Sequence, residues 1–222
     1  MFQKMMDRIY QAALNHAKEL PHLQEVFEQD PIAEQTQWIP AAGGGANFKT
    51  KTLVQLGPDR LSFQATTKGK IFPLIFVFMG SLVCLSGFFS VGGAAILVPF
   101  GCLFVLAGSL LYHYFTKPIN FDRSLNLYWR GKKDPSDTTA KGVIQLQDVH
   151  AIQLVSEKIR SQSSSSSRSH SSRRSSYYSY ELNLVLHDAT RINVVDHGKL
   201  SVIRQDADRL ADFLDIPVWD AI

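Results

Sequence analysis

Hydrophobic residues are concentrated in one uninterrupted block near the middle of the chain. The 46 residues 71–116 contain no aspartate, glutamate, lysine or arginine. A helix needs about 20 apolar residues to cross the hydrocarbon core of a bilayer. Segments 71–90 and 94–115 each reach that length, and residues 91–93 separate them. The pattern predicts a transmembrane helical hairpin that makes the chain integral to the lipid bilayer.

Basic residues flank this block at both outer ends, whereas the predicted turn has none. Because positive flanks favour the cytoplasmic side and two spans return the chain to its starting side, both termini are predicted in the cytoplasm. The predicted location is the cell inner (plasma) membrane. The flanking residues are Lys49, Lys51, Arg60, Lys68 and Lys70 before the block, and Lys117, Arg123, Arg130, Lys132 and Lys133 after it.

Small residues recur within the two predicted spans. Gly80 and Gly87 are seven positions apart, as are Gly101 and Gly108. Small side chains let helix backbones approach closely in lipid, where no hydrophobic effect drives association, so these glycines are candidate helix-packing residues. The two cysteines lie at similar distances from the turn and are expected near each other. The spans hold no ionisable residue apart from His113, which favours an anchor over transport or proton relay.

The N-terminal residues 1–37 have the periodicity of amphipathic helices. Phe2, Met5, Met6 and Ile9 begin an apolar series with steps of three and four residues, which predicts a helix. Pro21 suits the first turn of a second, shorter helix. Residues 38–50 are rich in glycine but lack the spacing of a phosphate-binding loop, and are interpreted as a linker.

Alternating apolar and polar residues predict seven strands outside the block. Two lie within 51–67, and five lie within 117–222 before a C-terminal amphipathic helix that Pro217 ends. Asp148 is interpreted as a bulge in one long strand, and Asp196-His197-Gly198 as the start of the last helix, with a capping side chain. The strands before and after the block are expected to form one domain, with the hairpin as an insertion.

This order of elements resembles a pleckstrin-homology-like domain. The runs YELNLVLHDATRINVVDHG and DADRLADFLDIPVWD are similar to the C-terminal parts of some uncharacterised bacterial two-span membrane proteins. The resemblance implies an α+β membrane protein, with the hairpin inserted in an antiparallel β-barrel or sandwich that the C-terminal helix closes. It implies a binding or scaffolding role and carries over no catalytic residue.

A serine- and arginine-rich segment interrupts the predicted strands at residues 160–177. It has too few apolar residues to fold and is expected to be a disordered loop. The alternatives are a solvated insertion without a partner, contact with anionic lipid, and regulation by phosphorylation. For lipid or membrane-surface contact the candidate residues are Arg160, Arg168, Arg173 and Arg174, together with Lys68, Lys70 and Lys117.

The chemistry of the remaining residues favours binding over catalysis. The net charge of +3 is too small to predict nucleic-acid binding. No metal or cofactor motif is present. The pairs Asp148/His150, His187/Asp188 and Asp196/His197 are typical of turns or strand edges, and sequence neighbours along a strand point to opposite faces, which disfavours joint ligation. The leading hypothesis is a non-enzymatic, membrane-anchored module that binds an unknown protein or anionic lipid at the cytoplasmic face. Two alternatives remain: an accessory subunit of a larger membrane assembly, engaged through the glycine faces, and a membrane-tethered enzyme using His150, His187 or His197. A homo-oligomer is the further assembly considered.

Overall fold

The computed structural model describes residues 2–43, 49–90, 94–161 and 175–222, with the backbone alone at 2, 94–95, 160–161 and 175. The predicted turn at 91–93, most of the triple-glycine sequence and most of the serine- and arginine-rich segment lie outside these residues. The described elements, in chain order, are α1 (Phe2–Glu19), α2 (Pro21–Gln29), α3 (Pro31–Gln35), β1 (Lys51–Gly57), β2 (Arg60–Ala65), α4 (Thr67–Phe89), α5 (Ala94–Thr116), β3 (Ile119–Asp122), β4 (Leu127–Arg130), β5 (Ile144–Gln145), β6 (Val149–Ser161), β7 (Ser175–Leu186), β8 (Arg191–His197), α6 (Leu200–Leu214) and β9 (Val218–Asp220).

The chain is α+β and divides into two compact units. The hairpin unit comprises residues 50–124 and 128–143, and the helix-covered unit comprises the other described residues. In the hairpin unit, β1 to β4 neighbour one another in sequence order. Strands β2 and β3 pair antiparallel, with Phe63 opposite Ile119. The helices α4 and α5 are therefore inserted between two adjacent strands of one sheet.

The helix-covered unit is built on a four-stranded sheet in the order β8-β7-β6-β9. Its pairs are antiparallel except for β6 with β9, which run parallel. Ala151, Val185 and Trp219 form one buried cluster with Leu23 and Trp38 from the N-terminal part of the chain. Because side chains alternate across a strand, Ile152 and Leu184 point to the other face. Helix α6 contacts β6, β7 and β8 through a buried apolar stripe and covers that face.

Several expectations about the strands are wrong. The nine described strands form two sheets, and they do not close into a barrel. The single strand predicted across residues 143–157 is two strands, β5 and β6, which a short 3-10 helix at Leu146–Asp148 separates. Asp196 and His197 still belong to β8. The last helix begins after Lys199, which caps it without a side-chain hydrogen bond.

Candidate functional site

The outer surface of the helical hairpin is apolar and exposed. Both helices are 23 residues long. At about 1.5 Å per residue, each is roughly 34 Å long, enough to cross about 30 Å of hydrocarbon. Both are apolar enough to cross a membrane by composition as well. Most of the large exposed hydrophobic side chains of the described chain lie on them, among them Phe78, Phe88, Phe89, Ile96 and Leu110.

The glycines face inward, between the two helices. A methyl group on Gly80 would lie 2.7 Å from the carbonyl oxygen of Gly101, and one on Gly108 would lie 2.8 Å from the amide nitrogen of Val77. At Gly87 the nearest atoms are side-chain carbons of Leu97 and Val98, at 3.0 Å. The structure thus places all four predicted packing glycines at the α4–α5 contact, where the hairpin already covers them.

The two cysteines also lie at this contact. The Sγ atoms of Cys84 and Cys102 are 3.7 Å apart, and both residues are free thiols. The expectation that they lie near each other is confirmed. Four hydroxyls on these helices bond within their own helix. Those of Ser81, Ser86, Ser109 and Thr116 donate to the carbonyl oxygens of Val77, Val83, Val105 and Tyr112, respectively.

Three of the predicted lipid-contacting residues lie at the open end of the hairpin, which is the end where α4 begins and α5 ends. Lys68 and Lys70 are in the first turn of α4, Lys117 follows α5, and all three are exposed. Arg168, Arg173 and Arg174 lie outside the described residues, as does the side chain of Arg160. The structure therefore brings the three lysines to one end of the helical pair.

A cavity of about 290 Å³ opens at this same end. Lys70 from α4 and Tyr112 and Thr116 from the last turns of α5 line one part of it. The sheet contributes Gln64 from the end of β2 and Lys132 from the segment after β4. Its lining includes two lysines and no carboxylate. Sequence reasoning missed Lys132 and Gln64 as partners of Lys70, because the pairing of β2, β3 and β4 brings them together.

Lys51 satisfies the end of α5. Its Nζ donates to the carbonyl oxygens of Phe115, at 3.0 Å, and Lys117, at 2.6 Å. The last carbonyls of a helix lack partners within the helix and carry partial negative charge, so a cation is favourable there. Burial, together with the charge of Arg130, lowers the pKa of Lys51 to about 8. The first residue of β1 thus ties the sheet to the hairpin.

The histidines do not converge on one centre. His150 and His187 lie together, with ring centroids 4.9 Å apart, and His150 Nε2 is 2.5 Å from a carboxylate oxygen of Asp30. His197 is fully buried elsewhere, with its Nε2 3.3 Å from Asp206 Oδ2. Among the described residues, no group of three or more potential ligands is placed to hold a metal ion.

A polar cluster fixes the start of the predicted linker to the helix-covered unit. The carboxylate of Glu181 accepts hydrogen bonds from the backbone N–H groups of Ala41 and Ala42 and from the amide of Asn193. Burial raises the pKa of Glu181, and these hydrogen bonds oppose the rise. The guanidinium of Arg191 donates to the carbonyl oxygen of Ile39. Sequence reasoning missed this cluster, since a glutamate alternating with leucines in a strand suggests a solvent-facing position.

Arg191 also lines a polar cleft of about 480 Å³ in the helix-covered unit. Tyr10, Gln37 and Asp188 are among the other lining residues. Its guanidinium is occupied by Ile39, Gln153 and Gln37, and Asp188 adds an opposing charge. The cleft is therefore a weaker candidate for an anionic ligand than the cavity beside the hairpin.

No protein-family model matches the chain, and a search of curated proteins finds no similar sequence.

Proposed function

We propose that the protein is an integral membrane protein that serves as a membrane-anchored binding or scaffolding module, with both termini and both sheets in the cytoplasm. The supporting observation is the polarity of the hairpin: large apolar side chains such as Phe78 and Ile96 point outward, and glycines lie between the helices. A water-soluble helical pair buries its large apolar residues and exposes polar ones. The outer surface of the hairpin therefore suits the hydrocarbon core of a bilayer.

Hydrogen bonding within the helices supports the same proposal. In hydrocarbon, an unpaired polar group costs several kcal/mol because no water replaces its partner. The hydroxyls of Ser81 and Ser109 are paired with carbonyls of their own helix. The lysines appear only where the hairpin ends, at Lys68, Lys70 and Lys117, as the positive-inside rule requires for a cytoplasmic end.

The proposed role is non-enzymatic, with an anionic lipid or a protein bound at the cytoplasmic face. In support, the three histidines of the enzyme alternative do not converge on one centre: His150 and His187 lie together, whereas His197 is buried against Asp206. The resemblance to bacterial two-span proteins with a pleckstrin-homology-like domain also points to binding. Two sheets in place of one barrel are a departure from that domain.

Insertion and topology are tested in cells producing the full chain. The protein is expected to remain with membranes after alkaline carbonate extraction, and its release would overturn the proposal. For topology, both native cysteines are replaced by alanine, and Gly92→Cys or Lys133→Cys is added. An impermeant maleimide should label Gly92→Cys in intact cells and Lys133→Cys only after permeabilisation. The reverse pattern would overturn the orientation. A stoichiometric second membrane protein in mild detergent would instead support the accessory-subunit alternative.

A further inference from the structure

The cavity beside the open end of the hairpin combines two lysines with a neutral wall. Lys70 and Lys132 are exposed and line it, and neither has an ion pair with a carboxylate in the described part of the chain. The other lining residues include Gln64 and Tyr112, neither of which is charged at neutral pH. Positive charge without a compensating acid, facing one concave space, favours an anionic ligand.

The position of the cavity narrows the identity of that anion. Lys70 immediately precedes Ile71, where the exposed apolar surface of α4 begins, and Tyr112 is among the last exposed aromatic residues of α5. The cavity therefore lies where the hairpin changes from apolar to polar. In a spanning hairpin, this is the level of the lipid headgroups, where tyrosine rings concentrate.

The size of the cavity fits a headgroup and not a large ligand. Its volume of about 290 Å³ is just below the range of roughly 300–1,000 Å³ typical of pockets for drug-sized molecules. The unpaired carbonyls at the end of α5 would repel an anion, but Lys51 already binds those of Phe115 and Lys117. The negative end of the helix is thus screened at the edge of the cavity.

We propose that this cavity binds the phosphate group of an anionic membrane lipid, with Lys70 and Lys132 as its cationic contacts. This inference rests on the proposed membrane insertion. Gln64 and Tyr112, which also line the cavity, are the neutral candidate contacts for the headgroup. The sequence predicted only that basic residues contact a membrane surface, whereas this proposal names one cavity and two lysines.

The test measures binding of acyl-labelled phosphatidylglycerol to the full-length protein in uncharged detergent micelles, by fluorescence anisotropy. An exposed ion pair contributes up to about 1 kcal/mol, or roughly fivefold in affinity. Lys70→Gln/Lys132→Gln should therefore weaken binding by up to about 25-fold. The matched control, Lys133→Gln/Lys141→Gln, removes the same charge from exposed positions of the hairpin unit outside the cavity lining and should change affinity less than about threefold. Lys70→Arg/Lys132→Arg should retain most of the affinity.

Three outcomes would overturn the site: an equal loss in the control, no loss in the cavity variant, or equally tight binding of labelled phosphatidylcholine. Displacement of the lipid by glycerol 3-phosphate as effectively as by dihexanoyl phosphatidylglycerol would assign the cavity to a soluble phosphate ester and overturn the lipid source. Alkaline extraction of the same variants separates the two proposals. A wild-type chain that stays in the membrane but binds no lipid contradicts the site alone, and a released chain contradicts the insertion.

Discussion

Adding a single methyl group at Gly80 tests whether the helical contact is as close as described. In Gly80→Ala, the new carbon would lie 2.7 Å from the carbonyl oxygen of Gly101 and 2.8 Å from the amide nitrogen of Val105. Both are backbone atoms, so no side-chain rotation relieves the overlap. The helices must separate by about 0.7 Å locally, from 2.7 Å to the 3.4 Å of ordinary contact.

The cost follows from overpacking. Inserting a methyl group into a well-packed contact destabilises by about 1–3 kcal/mol. Alanine also favours a helix over glycine by up to about 1 kcal/mol, which offsets part of the loss. We expect Gly80→Ala to lower the free energy of unfolding by about 1–2 kcal/mol. Gly87→Ala, whose nearest atoms lie at 3.0–3.2 Å, requires a smaller shift and should cost less than Gly80→Ala.

The assay is equilibrium unfolding of the full chain from mild detergent into sodium dodecyl sulfate, followed by helical circular dichroism. Ser109→Ala is the control on the exposed side of α5, since it alters only a hydroxyl that bonds its own helix. If Gly80→Ala is as stable as Gly87→Ala, or more stable than wild type, the helices do not pack at the distances described and the reasoning fails.

Three further predictions address other contacts. A mild oxidant should convert Cys84 and Cys102, whose sulfurs are 3.7 Å apart, into an intramolecular disulfide visible as a mass loss of about 2 Da, and a purely intermolecular product would contradict the hairpin contact. Burial raises the pKa of Glu181 in the native state, so its protonation stabilises the fold below the unfolded pKa of about 4.3, and this stabilisation is lost as pH rises through the native pKa. In Glu181→Gln, the free energy of unfolding should depend less on pH over this range, and an unchanged pH dependence would contradict the prediction. Asn183 is fully buried, and neither polar atom of its side-chain amide has a hydrogen-bond partner in the described residues, so Asn183→Leu should raise the free energy of unfolding by about 1 kcal/mol. Asn193→Leu loses a hydrogen bond to Glu181 and should lower the free energy of unfolding. A urea titration that gives the opposite order of stability would refute both predictions.

The sequence was sufficient for elements whose signal is local. The apolar block defines α4 and α5 to within a few residues, because length and polarity alone decide whether a helix suits hydrocarbon. The period of three and four residues likewise predicts α1 and α6. The seven-residue spacing of glycines indicated a shared face in each span, and in the structure those faces meet.

Sequence reasoning did not predict contacts made between distant segments. Trp38 stacks against Trp219 with ring centroids 5.8 Å apart, so the N-terminal part covers a sheet face that alternation alone suggested was polar. That cover is what buries Glu181 and Asn183. Strand β9 has only three residues, and its pairing with β6 depends on register rather than on any pattern of its own. The cavity also depends on contacts between distant segments. Lys70 was predicted as a surface cation, but strand pairing in the sheet is what brings Lys132 to the same cavity.

Short connections join the helical hairpin to the sheet in which it is inserted. Only Thr66 separates β2 from α4, and two residues separate α5 from β3, while β2 and β3 pair directly through Phe63 and Ile119. A long insertion adds little loop-closure entropy when its own ends are brought together by packing. Lys51 adds a third tie, from β1 to the end of α5. The sheet is therefore held at the end of the hairpin by several short connections. A ligand bound between Lys70 and Lys132 would contact both the first turn of α4 and the segment after β4, and so would stabilise the sheet and the hairpin together.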